Sequence, residues 1–587
     1  MSKKFVRLVL VFSVVCVGLL VLDYTDTWAV LIGSSSIQQG SEGVRNLDTG
    51  RSYATIQEAI DASDTLDGHR ISVSSGVYRE SVTVNKSVSV VGEAKDSTII
   101  DGNGASRVVY IVADNVEVRG FTIQNGTFGM WLHNSDNSEI VDNLLQDGSY
   151  GIRLLNSRNS LIIENTVRRY TFFGFEIDSS GNCTLRNNVM ENNRYNFGVD
   201  GKSLFDFVND IDASNTVNGK AIHYLINQQN IVIDSSTFQE IGYLGLVNST
   251  NIKVHDLSAQ ENIQGILLAF AQNSTIRNVN ARSNWNGIYA THSSEISVED
   301  NDANQNFDYG IKLFDSPRSR VTGNNVDNNG WGGIGVFWSS GSIIDGNEAS
   351  YNSYNLHVVF TNNSVISKNV SMKKPGGYSI ALYYSHNNSI YHNMLENTLL
   401  YSETRNRARF VPRNNWDNGV EGNYWTTYGG SDRNLDGLGD APRNVGENNT
   451  DNHPLMGKLN EFTVTLEDTT YRISVISNST VSELEFSPGD GEMSFKASGR
   501  NGTVGFLRVA VPKELLQGLE ENLGFLVNGE IPGIKRQWAD DKYAYFYFYY
   551  TNISSEPAPV PWLIIGVLVF CISMIGILAF LFLKRKS

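Results

Sequence analysis

Short runs of alternating apolar and polar residues recur through the middle of the chain at a nearly constant interval. One run has the form Gly-Ile-x-Leu, and it or a close variant begins at Gly151, Gly174, Gly265, Gly287, Gly310, Gly333, Asn355 and Ser379. The step from Gly151 to Gly174 is nearly the same as the step from Gly265 to Gly287. Alternation of this kind is typical of a strand with one buried face. The pattern therefore predicts a repeated strand.

An asparagine three positions after an apolar residue keeps the same period. These residues are Asn143, Asn165, Asn188, Asn301, Asn324, Asn347, Asn369 and Asn393. Asparagine tolerates the left-handed backbone of a tight turn, and its amide can bond to the asparagine of the next repeat. A repeat of roughly 22 to 24 residues without helical periodicity indicates one solenoid coil per repeat. We expect an all-β fold whose main part, residues 50–410, is a right-handed parallel β-helix.

The two ends of the predicted solenoid have different patterns. Residues 53–63 place Ile56, Ala59, Ile60 and Ser63 at helical spacing, which predicts a capping helix over the first coil. Residues 411–456 form an aromatic and Asp-rich closing segment. Beyond it, residues 460–555 alternate as strands, and a turn at roughly every 8 to 12 residues is typical of a β-sandwich. We expect this sandwich to act as a stalk.

Apolar segments at both termini predict the location of the protein. Residues 1–29 combine early lysines with an apolar run and are expected to be a signal peptide or an uncleaved N-terminal anchor. A Pro-rich linker at 556–562 precedes an uncharged apolar segment at 563–583, and residues 584–587 form a basic tail. These features predict a single transmembrane helix with a cytoplasmic tail. The bulk of the chain is expected to be extracellular.

Composition narrows the class of partner. The chain has 587 residues and a formal charge of -16, which excludes a nucleic-acid binder because such proteins need a basic surface. Cys183 is the only cysteine between the two apolar segments, so no intrachain disulfide is expected there. The same region carries N-glycosylation sequons at Asn85, Asn125, Asn182, Asn248, Asn273, Asn362, Asn369, Asn387, Asn448, Asn478, Asn501 and Asn552.

Charged residues on the outward face of the repeated strand are candidate catalytic groups. Two residues after each glycine the side chain is expected to face solvent, which selects Arg153, Glu176 and, if Gly198 starts the next strand, Asp200. Asp178 lies two residues beyond Glu176. The pair Glu176 and Asp178 suits acid and base roles in glycoside cleavage, and Arg153 could bind a uronate carboxylate. The alternative is ordinary charge pairing across an exposed sheet.

Later coils carry aromatic and basic residues on the same expected face. A ligand platform is predicted from Tyr289, Lys312, Phe314, Phe337, His357 and Tyr383. Aromatic faces stack on pyranose rings because they offer apolar area at low entropy cost. The alternative is that these rings pack under loops.

The loop SDRNLDGLGDAP places oxygen-bearing side chains at alternate positions. Asp432, Asn434, Asp436 and Asp440 suit a calcium ion, which is the one cofactor that the residues suggest. An EF-hand is excluded because Arg443 stands where the bidentate glutamate is required. The alternative is a series of Asx turns that close the last coil.

Several segments resemble a known family. TIQEAIDAS, SSGVYRESVTV and SVSVVGE resemble the start of pectin-lyase-like β-helix proteins. Residues 209–230 and the segment that begins NNWDNGVEGNYW resemble NosD-like surface proteins of archaea. The resemblance covers about residues 50 to 456. It implies a β-helix built from carbohydrate-binding and sugar-hydrolase repeats.

The family name also suggests copper, which needs His, Cys or Met at convergent spacing. The nearest candidates are His392 with Met394, His453 with Met456, and His386.

We therefore expect a membrane-anchored cell-surface protein that binds or organises envelope carbohydrate or another extracellular macromolecule. The partner is expected to be a polysaccharide or a glycoprotein. One alternative is a polysaccharide lyase, hydrolase or epimerase that uses the outward face of one sheet. A second alternative is a copper-delivery accessory protein.

Overall fold

The computed structural model describes residues 43–401, 413–517 and 523–552. The expected signal or anchor segment at 1–29, the linker at 556–562, the apolar segment at 563–583 and the basic tail lie outside these ranges. Among the described residues, none of the helices has the length and apolar character needed to cross a membrane.

Residues 44–401 form a right-handed parallel solenoid of about 15 coils. The first of its two main sheets, here called the narrow sheet, consists of short strands in two stretches. The first stretch contains Val44–Asn46, Ser52–Tyr53, Arg70–Val73, Ser89–Gly92, Glu117–Arg119, Glu139–Val141, Leu161–Ile163, Thr184–Arg186 and Asp210–Ile211. The second contains Val232–Ile233, Lys253–His255, Thr275–Arg277, Ser297–Glu299, Arg320–Thr322, Ile343–Asp345, Val365–Ser367 and Ser389–Tyr391.

The second main sheet, here called the wide sheet, contains the Gly-Ile-x-Leu strands. Its strands are Gly76–Tyr78, Val82–Val84, Thr98–Ile111, Thr122–His133, Leu144–Leu155, Thr166–Tyr170, Phe173–Asp178, Val189–Glu191, Tyr195–Asp200, Thr216–Val217, Lys220–Ile226, Ile241–Val247, Gln264–Ala269, Asn286–Thr291, Tyr309–Phe314, Gly332–Phe337, Tyr354–Val359, Tyr378–Tyr383 and Thr398–Tyr401. Ile266 pairs with Ile288, and Ile288 pairs with Ile311, so each coil adds one repeat in parallel. The predicted period and solenoid are confirmed.

The predicted capping helix lies at Ile56–Asp61 and is shorter than the sequence pattern suggested. Thr55 caps it, and the Thr55 hydroxyl accepts a hydrogen bond of 3.1 Å from the Glu58 amide. Ile56, Ala59 and Ile60 are fully buried, so the helix covers the first coil with its apolar face. The other described helices are Leu204–Phe207 and Lys513–Gln517.

The periodic asparagines form a buried row that runs along the solenoid. Asn324 donates through its backbone N–H and its Nδ2 to Oδ1 of Asn347, at 3.0 and 2.9 Å. Asn301 donates to Asn324 in the same way. Each amide therefore bonds to the asparagine of the next coil, as predicted, and these bonds replace those that burial removes from water.

The expectation that these asparagines adopt the left-handed conformation is wrong. The left-handed residue is the one immediately before each row member, such as Asp142 with φ 52°, Asp300 with φ 52° or Gly323 with φ 66°. The physical reason is that the row member must turn its amide into the core. The tight turn is therefore made by its exposed or half-exposed neighbour.

Regular stacking is interrupted between residues 201 and 263, an interval here called the insertion, although its strands Lys220–Ile226 and Ile241–Val247 still belong to the wide sheet. Asn196 donates its backbone N–H to Glu261 O at 2.7 Å, and Ile263 donates to Phe197 O at 2.9 Å. Two segments that are far apart in sequence therefore meet as neighbours. We call this junction the seam.

Residues 413–456 close the C-terminal end of the solenoid. They contribute Tyr424–Trp425 to a small sheet with Val370–Ser371 and Met394–Leu395, followed by the hairpin of Arg443–Gly446 and Asn449–Asp451. Asp451 ends the asparagine row, because its Oδ2 accepts from the Asn423 N–H and the Trp425 Nε1–H, each at 2.8 Å. Trp416 and Trp425 are each 1% exposed, so this segment also caps the core.

The residues after the closing segment form two sheets around a separate core. One contains Lys458–Leu466, Thr469–Ser477, Val504–Pro512, Ile534–Ala539 and Tyr543–Thr551, and the other contains Thr480–Ser487, Glu492–Ser498 and Gly524–Val527. Val475, Phe495, Leu507 and Phe548 from both sheets share one buried cluster. Two sheets over a common core match the sandwich that the sequence predicts. We call this part the C-terminal unit.

Candidate functional site

A cavity of about 340 Å³ opens on the outward face of the wide sheet at the seam. This volume is near the lower end of the range for small-ligand sites, roughly 300 to 1,000 Å³. Its walls are Tyr150, Arg153, Phe172, Phe173, Glu176, Gly198, Val199, Asp200, Ile263, Gln264, Trp285, Asn286, Tyr289 and Lys312. The cavity therefore brings residues of the predicted catalytic set together with Tyr289 and Lys312 of the predicted platform.

The close approach at the seam requires a glycine. A Cβ at Gly198 would lie 2.4 Å from Ile263 Cβ and 2.8 Å from Gln264 Oε1, so a larger residue would push the two segments apart. Beneath this contact, Tyr243 is fully buried and donates its hydroxyl to Gln264 Oε1 at 3.0 Å. The floor of the cavity is thus a packed part of the fold.

Arg153 lies between two acidic side chains, Glu176 and Asp178. It lies opposite Glu176 in the wide sheet, and Asp178 lies one outward position further along the same strand. Arg153 Nε is 2.9 Å from Glu176 Oε2, and Arg153 Nη2 is 3.3 Å from Asp178 Oδ2. The contact to Glu176 is an ion pair whose angles do not meet those of a hydrogen bond. One guanidinium therefore contacts two carboxyl groups.

The predicted position of Asp200 is wrong by one outward step. Gly198, and not Asp200, pairs with Glu176, while Asp200 pairs with Asp178. Paired residues are 23 apart from Ile152 to Phe175 and 22 apart from Phe175 to Phe197. Gly198 therefore lies opposite Glu176 and is not the first residue of a Gly-Ile-x-Leu run. Asp200 nevertheless lines the cavity together with Glu176.

Burial gives Glu176 an unusual proton affinity. Its side chain is 14% exposed, and loss of water raises the pKa of the Glu176 carboxyl to about 7. Arg153 opposes this shift, whereas Asp178 and Asp200 add to it. Glu176 therefore exchanges a proton near neutral pH, which is the property expected of a general acid or base.

Asp200 is held in a similar environment. Burial raises the pKa of its carboxyl and Asp178 adds to the increase, whereas the Gly201 N–H, which donates at 2.8 Å, and the charges of Lys312 and His292 oppose it. Two carboxyls with raised proton affinity thus lie in the same cavity.

The opposite wall combines a buried phenol with a lysine. Tyr289 is 7% exposed, and Lys312 Nζ lies 5.3 Å from the centre of its ring and 5.5 Å from that of Tyr309. Lys312 Nζ is also 3.5 Å from Asp308 Oδ2. The ammonium group is therefore held by two rings and one carboxylate.

An aromatic rim that the sequence analysis did not identify borders the cavity. The Trp285 ring centre lies 4.9 Å from that of Phe172 and 5.3 Å from that of Phe173, in edge-on contacts. Phe307 stacks on Trp285 at 4.4 Å. The rings come from both sides of the insertion, so the sequence shows the paired phenylalanines at 172 and 173 and the tryptophan at 285 but not the contact between them.

The remaining platform residues pack mainly on one another. His357 Nδ1 lies 2.6 Å from the Tyr309 hydroxyl, and the imidazole stacks on Tyr354 at 4.6 Å. Burial lowers the pKa of His357 to about 4. Phe337 contacts His357 edge-on at 5.3 Å. Phe314, Phe337 and Tyr383 share one row of the sheet, away from the row of Tyr289, Lys312 and His357.

The loop at 431–442 has its oxygens engaged in turns. Asp432 accepts from the backbone N–H groups of Asp436 and Gly437 at 3.0 and 2.9 Å. Asp440 Oδ2 accepts from Ser431 Oγ, and Asn434 Nδ2 donates to Asp436. Calcium binding by these residues stays a prediction.

The sequons differ in exposure. Asn369 is fully buried in the asparagine row and Asn552 is 4% exposed, so neither side chain can carry a glycan in the folded protein. Asn362 is half-buried. The exposed acceptors are Asn85, Asn125, Asn182, Asn248, Asn273, Asn387, Asn448, Asn478 and Asn501.

Two family models match adjoining parts of the chain. Residues 62–203 match the family described as periplasmic copper-binding protein (NosD), and residues 208–349 and 264–423 match the right handed beta helix region. A cell surface glycoprotein of Methanothermus fervidus is 37% identical over 106 residues, which is 18% of this chain and 17% of that protein. The chain therefore spans about a sixth of the length of this curated relative.

Solved structures with a similar fold include carbohydrate-active proteins. The A-module of mannuronan C-5 epimerase AlgE6 from Azotobacter vinelandii is 18% identical and aligns over 57% of this chain and 98% of its own, with a TM-score of 0.30. Alginate lyase from Paenibacillus sp. is 12% identical over 46% of this chain and 91% of its own, with a TM-score of 0.23.

The histidines do not fit a copper site. His392 Nε2 lies 2.8 Å from Glu421 Oε2, His453 lies 3.6 Å from Asp417, and His386 accepts from the Arg413 N–H at 3.3 Å. Within the region that matches the copper-binding family, His69 is bonded to Asn46 and His133 to Tyr110. Across the described ranges, no group of three or more His, Cys, Asp or Glu side chains could hold a metal ion.

The strands, the asparagine row and both family models agree on the architecture. The predicted resemblance is confirmed: residues 44–401 form a right-handed parallel β-helix, and residues 62–203 are similar to the NosD family.

Proposed function

We propose that the protein is a membrane-anchored cell-surface β-helix protein that binds envelope carbohydrate, and that the cavity at the seam is its binding site. The observation that carries this proposal is the combination of an aromatic rim, polar groups and buried carboxyls in one concave site. Sugars are bound by such combinations because their apolar ring faces stack on aromatic rings while their hydroxyls need hydrogen-bond partners.

The expected location rests on three features. The curated relative carries the description cell surface glycoprotein. The apolar segments at 1–29 and 563–583 supply a route to the cell surface and an anchor. The C-terminal unit precedes the second of these segments and would act as a stalk. The partner is a polysaccharide or a glycoprotein of the envelope.

Trp285→Ala is expected to weaken carbohydrate binding at least tenfold. Removal of the indole takes away a rim ring that contacts Phe172 and Phe173, and aromatic anchors at binding sites typically contribute about 2 kcal/mol. A glycan array probed with the full-length protein identifies a ligand, and titration with that ligand measures the loss. Trp331→Ala is the matched control, because Trp331 is 49% exposed and does not line the cavity. Equal affinities of the two variants would contradict the assignment of the site.

A second candidate function is polysaccharide cleavage or epimerisation, and the raised pKa of Glu176 favours it. A carboxyl that exchanges its proton near neutral pH can act as general acid at a leaving oxygen. Asp178 and Asp200 supply further carboxyls at the same site, and Arg153 positions Glu176.

If the protein turns over a polysaccharide, Glu176→Gln is expected to reduce the rate at least 100-fold while leaving binding within threefold. The amide keeps the shape of the carboxyl but cannot supply the proton.

As a general acid Glu176 acts in its protonated form, so the rate of the unaltered protein is expected to fall as the pH rises through about 7. Product release from a polysaccharide panel is measured across this pH range. Glu191→Gln, on a neighbouring coil outside the cavity, is the control. Unchanged turnover in Glu176→Gln would exclude this role.

A further inference from the structure

We infer that the cavity at the seam selects an uncharged sugar over a uronic acid, and that any bond cleavage there is hydrolysis. This inference rests on the proposed function, since it names the class of ligand that the same site accepts. It differs from the sequence expectation that Arg153 is available to a uronate carboxylate.

The first step of the argument concerns the cations. Arg153 is held by Glu176 at 2.9 Å and by Asp178 at 3.3 Å. Lys312 is 3.5 Å from Asp308 and lies over two tyrosine rings. These are the two cationic side chains among the described residues that line the cavity. Both cations therefore already have carboxylate partners, and a uronate would have to compete with these partners for the same charge.

The second step concerns the acids. Four carboxyls, those of Glu176, Asp178, Asp200 and Asp308, face the cavity or its two cations, so acidic groups outnumber basic groups by two. A uronate would add a further negative charge to this partly buried, acidic environment. Like charges within a few ångströms repel strongly where water is excluded. An uncharged ring avoids this repulsion, and its hydroxyls can hydrogen-bond to these carboxyls in either protonation state.

The third step concerns the polar and apolar surfaces that remain. Gln264 and Asn286 are neutral side chains in the wall, and Trp285 with Phe172 provides apolar ring surface. These groups suit hydroxyls and the apolar face of a pyranose, and none of them needs a charged partner.

The same charges restrict the reaction. Elimination from a uronate, or inversion at its C5, removes a proton next to a carboxylate and builds negative charge there, which an unpaired cation stabilises most effectively, and both cations here are already paired. Hydrolysis needs no such cation. The glycosidic C–O bond breaks, Glu176 gives its proton to the leaving oxygen, water bonds to the anomeric carbon, and Asp200 takes the proton that this water loses. The sum is addition of one water across one bond.

The test compares sugars that differ only at C6. Full-length protein is titrated with oligosaccharides of the mannose, glucose and galactose series, and with the C6-oxidised uronic form of each at the same linkage and length. We expect at least one neutral oligosaccharide to bind ten times more tightly than its oxidised counterpart. Asp200→Asn removes one acid from the cavity and is expected to reduce that preference, whereas Asp212→Asn, an exposed residue that does not line the cavity, is expected to leave it unchanged.

Each outcome has a distinct meaning. Equal or tighter binding of the uronic forms that is still lost in Trp285→Ala overturns the inference and leaves the proposed function in place. Binding of neither form, or binding that Trp285→Ala does not affect, contradicts the proposed function itself. Release of an unsaturated uronic product from any oxidised oligosaccharide would overturn the assignment of hydrolysis.

Discussion

Glu421→Gln is expected to destabilise the junction between the closing segment and the C-terminal unit by about 3 to 5 kcal/mol. Glu421 is 14% exposed and pairs through one oxygen with Arg508 Nη2 and through the other with His392 Nε2 at 2.8 Å. Arg508 is only 4% exposed. Loss of the Glu421 carboxylate leaves the Arg508 guanidinium buried without a counter-charge, which is the costly way to break such a pair.

Denaturant unfolding of the full-length protein, followed by tryptophan fluorescence, measures this change. Glu461→Gln is the matched control, because Glu461 also ties the C-terminal unit to the rest of the molecule, through Lys368 of the solenoid at 2.6 Å, but is 28% exposed. That variant is expected to lose less than about 1 kcal/mol, as half-exposed pairs usually do. Similar losses in both variants would contradict the importance of the buried group.

The same group predicts sensitivity to acid. Burial favours the neutral form of Glu421, but Arg508 and His392 outweigh it and lower its pKa to about 2. Because the folded pKa lies below the unfolded one, about 4.3, this stabilisation is complete above the unfolded value. It is lost as the pH falls through about 2.

Asn324→Ala is expected to destabilise the solenoid by about 3 to 5 kcal/mol, because it leaves several buried polar groups without partners at about 1 to 3 kcal/mol each. Asn324 Oδ1 accepts from the backbone N–H and Nδ2 of Asn301, and its Nδ2 donates to Val298 O at 2.8 Å. The midpoint of thermal or denaturant unfolding reports the loss.

The adjacent residue is the control for this substitution. Asn325 lies in the next position of the same coil, and within the described part of the chain its Oδ1 has no hydrogen-bond partner. Asn325→Ala is expected to change the free energy of unfolding by less than about 1 kcal/mol. A loss of less than about 1 kcal/mol in Asn324→Ala would show that the asparagine row contributes little to the free energy of unfolding.

The sequence alone was sufficient to predict the features that recur from coil to coil. The bond from Asn301 to Asn324 and the neighbourhood of Arg153 and Glu176 both follow from the interval, because parallel stacking brings equivalent positions of successive coils together. The left-handed positions were assigned one residue too late because residues as different as Asp142, Glu164 and Lys368 occupy them. No single residue type marked the turn.

The cavity could not be predicted because it arises where the repeat stops. The contact between Phe197 and Ile263 spans a short helix and further strands of the wide sheet, so the constant period does not show which later coil Phe197 meets. The displaced Asp200 has a different cause, since Gly198 does not start its run but pairs with Glu176. Trp285 had a clear sequence signal as an aromatic residue, but only the fold shows that it contacts Phe172.

The asparagine row is interrupted between Asn215, where its first stretch ends, and Asn301, where the second begins, and the seam lies in this gap. The solenoid thus consists of two stacks of coils that meet at one joint, the seam. A whole coil can be gained or lost before the coil of Tyr150 or after the coil of Lys312 without removing any wall of the cavity at the joint. The distance between the joint and the C-terminal unit can therefore vary in steps of one coil while the geometry at the joint stays fixed.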